Sequence, residues 1–158
     1  MIAMELNPAV KPVAFLLGTW RGEGEGQYPS IQPFRYREEI RFSHNGKPFL
    51  IYTQRTEAID TGQPMHGEAG YLRLVGEGRV EFVIAQPIGY AEISLGRVEG
   101  QRIDVQCTDV ARTPTAKPVT SISRSLWLEG DTLRYELKMA MDNIPLVRHL
   151  VASFRRAD

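Results

Sequence analysis

The groups in this chain best able to do chemistry are three histidines, one cysteine and a few polar side chains set into apolar runs. His149 stands in Val147-Arg148-His149-Leu150-Val151, a strand-like stretch with apolar residues on both sides. An imidazole in such surroundings is either a hydrogen-bonded core residue or a ligand. The typical use of one imidazole in a hydrophobic pocket is axial ligation of a haem iron. His66, in Pro64-Met65-His66-Gly67-Glu68, lies at the mouth of a strand, where it lines a cavity or faces water. His44 adjoins Asn45-Gly46, a hairpin turn signal, and is expected at the surface. Cys107 has no partner for a disulfide. The chain has no CxxC pair for zinc or redox work, so Cys107 reads as a small buried hydrophobe.

Other side chains could shape a pocket around these groups. Leu133, Tyr135, Leu137, Met139 and Met141 share one face of a strand, and methionine fills pockets and irregular cores alike. Gln86 interrupts the apolar strand end Ile84-Ala85-Gln86-Pro87 and must find a hydrogen-bond partner in backbone, water or ligand. Arg55, Arg73, Arg112 and Arg124 fall in strands or beside turns, where each could meet the propionates of a ligand or face water, and water is the expectation for each. The nucleophile elbow, the Walker loop and the His-Glu-x-x-His zinc signature are all missing. The glycines at 22, 24 and 26 do not complete a dinucleotide fingerprint.

Composition narrows the classes further. With 158 residues the chain is read as one domain spanning 1–158. Formal net charge is zero and the charges are mixed, which argues against binding nucleic acid or anionic lipid. It allows self-association into a homodimer without requiring it. The N-terminus has no basic start followed by an apolar run, and no stretch approaches the ~20 apolar residues of a membrane span. With a single cysteine, a cytoplasmic location is expected.

The elements that must position these residues are almost all β. Asn7-Pro8 reads as a helix start, with Pro12 keeping the helix short, so the segment to Leu17 is expected to be a one- or two-turn lid or plug. Gly18, Trp20, Gly22, Gly24 and Gly26 then share one strand face, which carries one ring and no other side chain. Phe34, Tyr36, Ile40 and Phe42 alternate with charged residues, leaving Glu38 as the polar member of an inner face. Further strands are expected over 49–57, 68–75, 79–85, 91–95, 101–109, 119–128, 132–141 and 147–155. Ten strands at this spacing, without helices between them, indicate an all-β fold: an antiparallel up-and-down barrel of the lipocalin or fatty-acid-binding kind. A barrel this wide can enclose a ligand.

The chain also resembles the nitrobindins, small ferric-haem β-barrel proteins. The likeness begins at Gly18-x-Trp20-x-Gly22-x-Gly24 and continues through Tyr28-Pro29-Ser30, Glu39-Ile40-Arg41-Phe42-Ser43-His44-x-Gly46-Lys47-Pro48 and Pro64-Met65-His66-x-Glu68-x-Gly70-Tyr71. It runs on through Ala85-Gln86-Pro87 to Met139-Ala140 and His149-Leu150. The resemblance implies haem b in the ferric state near one open end, with His149 as the metal ligand. It implies pocket positions at Ser30, Phe34, Met65, His66, Gln86, Val119 and Met139. Ser30 replaces the family's usual threonine, and Arg148 stands where proline is frequent, which could place a cation near the haem edge. The implied activity is nitric oxide binding and isomerisation of peroxynitrite to nitrate at an open iron site walled by dry, apolar residues. His66 is the candidate for a second ligand. A barrel that carries or senses a lipophilic molecule without turnover is the alternative.

Overall fold

The computed structural model describes residues 3–158. A 3-10 helix spans Pro8–Leu16, and the strands that follow are β1 (Gly18–Tyr28), β2 (Ile31–Ser43), β3 (Phe49–Ala58), β4 (Pro64–Leu74), β5 (Arg79–Gln86) and β6 (Tyr90–Glu99). They continue as β7 (Arg102–Cys107), the two-residue β8 (Ala111–Arg112), β9 (Val119–Glu129), β10 (Thr132–Met141) and β11 (Ile144–Arg156). Each long strand pairs antiparallel with the next, β7 pairs with β9, and β11 returns to β1. The result is the expected closed ten-stranded meander, with β8 as a short addition beside the start of β6. Closure leaves no long edge free to template aggregation.

The helix closes one end. Asn7 accepts a hydrogen bond from the Ala9 amide, as its place before Pro8 predicts. Val10, Val13 and Leu16 are fully buried. Their spacing of three matches the 3-10 repeat, which stacks them on one face. Each contributes roughly 1.5–3 kcal/mol by leaving water. The Trp20 indole Nε1–H donates to the Leu16 carbonyl at 2.8 Å and pins the helix to β1. Behind it Phe42, Tyr52 and Phe82 pack with ring centroids 4.9–6.4 Å apart.

The glycine-rich face of β1 is not bare. A Cβ on Gly24 would meet the Tyr36 ring at 2.4 Å, and one on Gly26 would meet the Phe34 ring at 2.1 Å. Two rings from β2 therefore lie over β1, each above the glycine it pairs with. At Gly22 the obstacle is backbone, the Ser153 carbonyl of β11. These glycines let the three strands approach closely, and here they make room for aromatics.

No helix among the described residues is long and apolar enough to cross a membrane. On the outside, Tyr71, Val83, Ile93 and Leu95 stay exposed, and Ile51, Tyr71, Val83 and Ile93 form one row across four paired strands.

Candidate functional site

At the end opposite the helix the strands open around a cavity of about 280 Å³. Ser30, Phe34, Met65, His66, Gln86, Val119, Met139 and His149 all line it, although they come from six strands and a turn. The register explains how they meet. Leu137 pairs with Leu150, but the next residue, Lys138, pairs with Arg148, so His149 is an extra residue on β11. Phe154, Ala152 and Leu150 face inward, and strict alternation would send His149 outward. The bulge re-aims it into the cavity beside Leu150. Arg148 is left outside, pairing with Glu136 at 3.1 Å, so the expected cation near the cavity is on the outer wall instead. Met65 is likewise extra, because Thr56 pairs with His66 while Glu57 pairs with Pro64. That brings Met65 and His66 together to the cavity wall, within β4 rather than at its mouth.

His149 is held on three sides. Its Nδ1–H donates to the Gln27 carbonyl at 3.0 Å, the only role a carbonyl partner permits. The Tyr28 and Phe34 rings stand edge-on to the imidazole, with centroids 5.2 and 6.4 Å from its own. Tyr28 is itself fixed by its hydroxyl, which donates to the Met139 carbonyl at 3.1 Å. Burial pushes the His149 pKa below its ordinary value, the Gln27 bond opposes this, and His66 and Lys117 add to the lowering. At neutral pH the ring is therefore uncharged, with its proton on Nδ1 and its Nε2 lone pair free, which is the form that binds metal.

Deeper in, polar side chains interrupt the apolar wall. Tyr36, Gln54, Glu68 and Tyr135 line it together with His66 and Gln86. Arg124, expected to face water, is 2% exposed. Its guanidinium grips Glu68 at 2.8 and 3.1 Å and Glu92 through Nε at 3.1 Å and Nη2 at 2.6 Å. It also donates to the Tyr135 hydroxyl at 3.1 Å. Tyr52 donates to Glu68 at 2.8 Å, and the Gln86 amide donates to Glu92. Burial works against the ionised form of Glu68, yet Arg124 and His66 hold its pKa below the ordinary carboxylate value. The same pairing holds Arg124 charged despite its burial.

His66 Nε2 lies 3.1 Å from Glu68 Oε2, so that nitrogen carries a proton and donates it to the carboxylate. It is not free to act as a second iron ligand through Nε2. His44 is half-buried in the turn between β2 and β3, away from the cavity, and its Nδ1 accepts from the Gly46 amide. Cys107 is buried, as expected. Of the remaining arginines, Arg55 and Arg73 are exposed in surface ion pairs, and Arg112 donates to the Val119 carbonyl.

Arg124 was expected to face water, and Glu68 and Glu92 were not among the candidate site residues. Arg124 was within reach: Ile122, Leu126 and Leu128 share its parity and face inward. Glu92 was not. On β6 the apolar Ile93 and Leu95 are 65% and 58% exposed, while Glu92 and Ser94 are fully buried. Pairing with β5, where Phe82 and Ile84 face inward opposite Ser94 and Glu92, imposes that inverted polarity.

A closed antiparallel barrel with two half-buried imidazoles lining a cavity at its open end is the architecture of a ligand-binding β-barrel. Residues 9–156 match the family model described as a THAP4-like, heme-binding beta-barrel domain. The chain belongs to that family, the nitrobindin-like barrels. It is 47% identical to peroxynitrite isomerase 2 of Mycobacterium marinum over 156 residues, covering 96% of this chain and 97% of that protein. It is 48% identical to peroxynitrite isomerase of Nocardia farcinica over 158 residues, covering 98% and 94% respectively. The crystal structure of Rv2717c from M. tuberculosis matches with a TM-score of 0.91 at 44% identity, covering 98% of this chain and all of that one.

Proposed function

We propose that residues 1–158 act as one haem-binding unit that isomerises peroxynitrite to nitrate, in which His149 Nε2 would hold the iron. The observation that carries this reading is the His149 bulge, with Nδ1–H tied to the Gln27 carbonyl and Nε2 left for the cavity. The donor set fits haem in particular. Among the described residues no three His, Cys, Asp or Glu side chains are arranged to hold a metal ion. A lone imidazole suits a metal that brings its other ligands, as a porphyrin does. Bound ferric haem b would supply an iron open to small ligands, nitric oxide and peroxynitrite among them.

The chain's own residues do the rest. Burial keeps His149 neutral, and Gln27, Tyr28 and Phe34 fix its plane. Met65, Val119 and Met139 provide apolar contact for a macrocycle, and Ser30 stands at the rim. Lys117 is the one lysine or arginine among the described lining residues and is the partner we assign to a carboxylate side arm. His66, anchored on Glu68, and Gln86, anchored on Glu92, face small ligands without needing to move. Peroxynitrite and nitrate are isomers, so no residue has to supply a net proton or electron. Names of relatives at 47% and 48% identity support the reaction, and the single cysteine supports a cytoplasmic setting.

Hemin titration tests the proposal. The unmodified chain is expected to give a five-coordinate ferric Soret band and to hasten peroxynitrite decay, and His149→Ala to lose both. An unchanged band and decay in that variant would overturn the assignment. Binding of hemin with no effect on decay would leave a carrier. A second copy of the chain is the partner we assign to the uncharged outer row Ile51–Tyr71–Val83–Ile93. Sedimentation should show a dimer that Ile93→Glu dissociates, and a monomer in both would remove that assignment.

A further inference from the structure

Behind the cavity lies a group of polar atoms without partners. Tyr36 and Glu38 on β2 and Gln54 on β3 are 2%, 5% and 8% exposed. The Gln54 amide Nε2–H donates to Glu38 Oε2 at 2.8 Å. Glu38 Oε1, Gln54 Oε1 and the Tyr36 hydroxyl have no hydrogen-bond partner among the described residues. Native folds rarely leave buried polar atoms in that state, so each calls for a ligand or a proton.

The surroundings say which. Glu38 is faced by Tyr36 from its own strand, Tyr52 and Gln54 from β3, Glu68 from β4, Arg124 from β9 and Tyr135 from β10. Arg124 is the only cation buried there among the described residues, and its nitrogens are committed to Glu68, Glu92 and Tyr135. Glu38 is thus a third carboxyl beside a guanidinium that already holds two. An ionised carboxylate buried without a cation is strongly disfavoured.

We propose that Glu38 is kept as a neutral carboxylic acid and that, with Gln54 and Tyr36, it forms a binding site for ordered water inside the barrel. A neutral Glu38 offers an O–H donor, Gln54 Oε1 offers an acceptor and the Tyr36 hydroxyl offers both. That set complements a water molecule, which makes about three bonds when buried. Ionised, Glu38 could still be hydrogen-bonded through such a water, but its buried charge would be left unpaired. Burial accordingly pushes the Glu38 pKa up to about 8, with Glu68 adding to the rise and Gln54 and Arg124 opposing it. Tyr36 and Gln54 line the cavity and Glu38 stands behind them. The acid therefore positions water at the inner end of the space a small ligand would enter, and it does not itself touch that ligand. The site is made wholly by this chain and stands whether or not haem binds.

The test uses the full chain before hemin is added. Infrared spectra at neutral pH should show a protonated-carboxyl band that vanishes in Glu38→Gln, persists in the exposed control Glu57→Gln, and titrates away near pH 8. No such band, or one that survives Glu38→Gln, overturns the proposal. Carbon-13 titration of the glutamate carboxyls in the unmodified chain needs no variant to fold. One carboxyl titrating near 8 supports the acid, and all of them titrating in the ordinary range overturns it. Magnetisation transfer from a long-lived water to the Gln54 side-chain amide should be seen, and its absence removes the water site.

Discussion

The two ends of this barrel share ten strands but treat them differently. At the helix end the pairing registers run without interruption, and inward and outward residues alternate as the apolar pattern of β2 and β3 suggests. At the open end the register slips in four strand pairs: between β1 and β2 near Gly26, between β3 and β4 at Met65, between β10 and β11 at His149 and again before Ile144, and between β9 and β10 near Val119. Every slip lies beside the cavity. A bulge leaves one residue unpaired and bends its strand, which weakens the local ladder but frees a side chain to take a new direction. The helix end therefore supplies stability, and the open end uses irregularity to aim Met65, His66 and His149 at one space.

Substitutions can break or sharpen that contrast. The largest effect is expected where the two halves meet. Arg124→Met leaves Glu68 and Glu92 buried without their cation and should cost about 3–5 kcal/mol in denaturant unfolding, with hemin affinity falling as the cavity wall loosens. A midpoint close to that of the unmodified chain would show that the network is not a structural hub. At the helix end, Trp20→Phe removes the bond to the Leu16 carbonyl and part of a fully buried ring. About 2 kcal/mol of stability should be lost while the hemin titration is unchanged. A shifted hemin titration would mean that the ends are coupled. The smallest effect belongs to the open end. Tyr28→Phe removes the bond to the Met139 carbonyl, a loss of about 1 kcal/mol or less, but it loosens the wall against His149, so the Soret band should broaden or shift before the unfolding midpoint moves noticeably.

Legibility in the sequence follows the same division. The alternation of Phe34, Tyr36, Ile40 and Phe42 with arginines and glutamates, and the turn at Asn45-Gly46, place β2 and β3 correctly because a half-buried strand must repeat every two residues. The same rule misleads at His149, where one extra residue reverses the facing, and on β6, where Ile93 points to water. Pocket residues could be named ahead of the structure by resemblance to the nitrobindins. Their mutual placement could not be read from periodicity. The bare glycine face was a third gap, since the rings of Phe34 and Tyr36 that fill it sit on another strand.

Taken alone, the amino-acid sequence determined the class of fold, the number of barrel strands, the helical plug and the fact that one histidine lies among apolar neighbours. These follow from local periods, caps and turns, which act over a few residues. Only the tertiary structure decided that His149 turns inward with Nδ1 on Gln27, that Arg124 gathers two carboxylates, and that Glu38 is left without a cation. Those outcomes depend on which strand pairs with which and in what register. Register is settled by the closure of the whole barrel, where a slip of one residue moves a side chain from one face to the other.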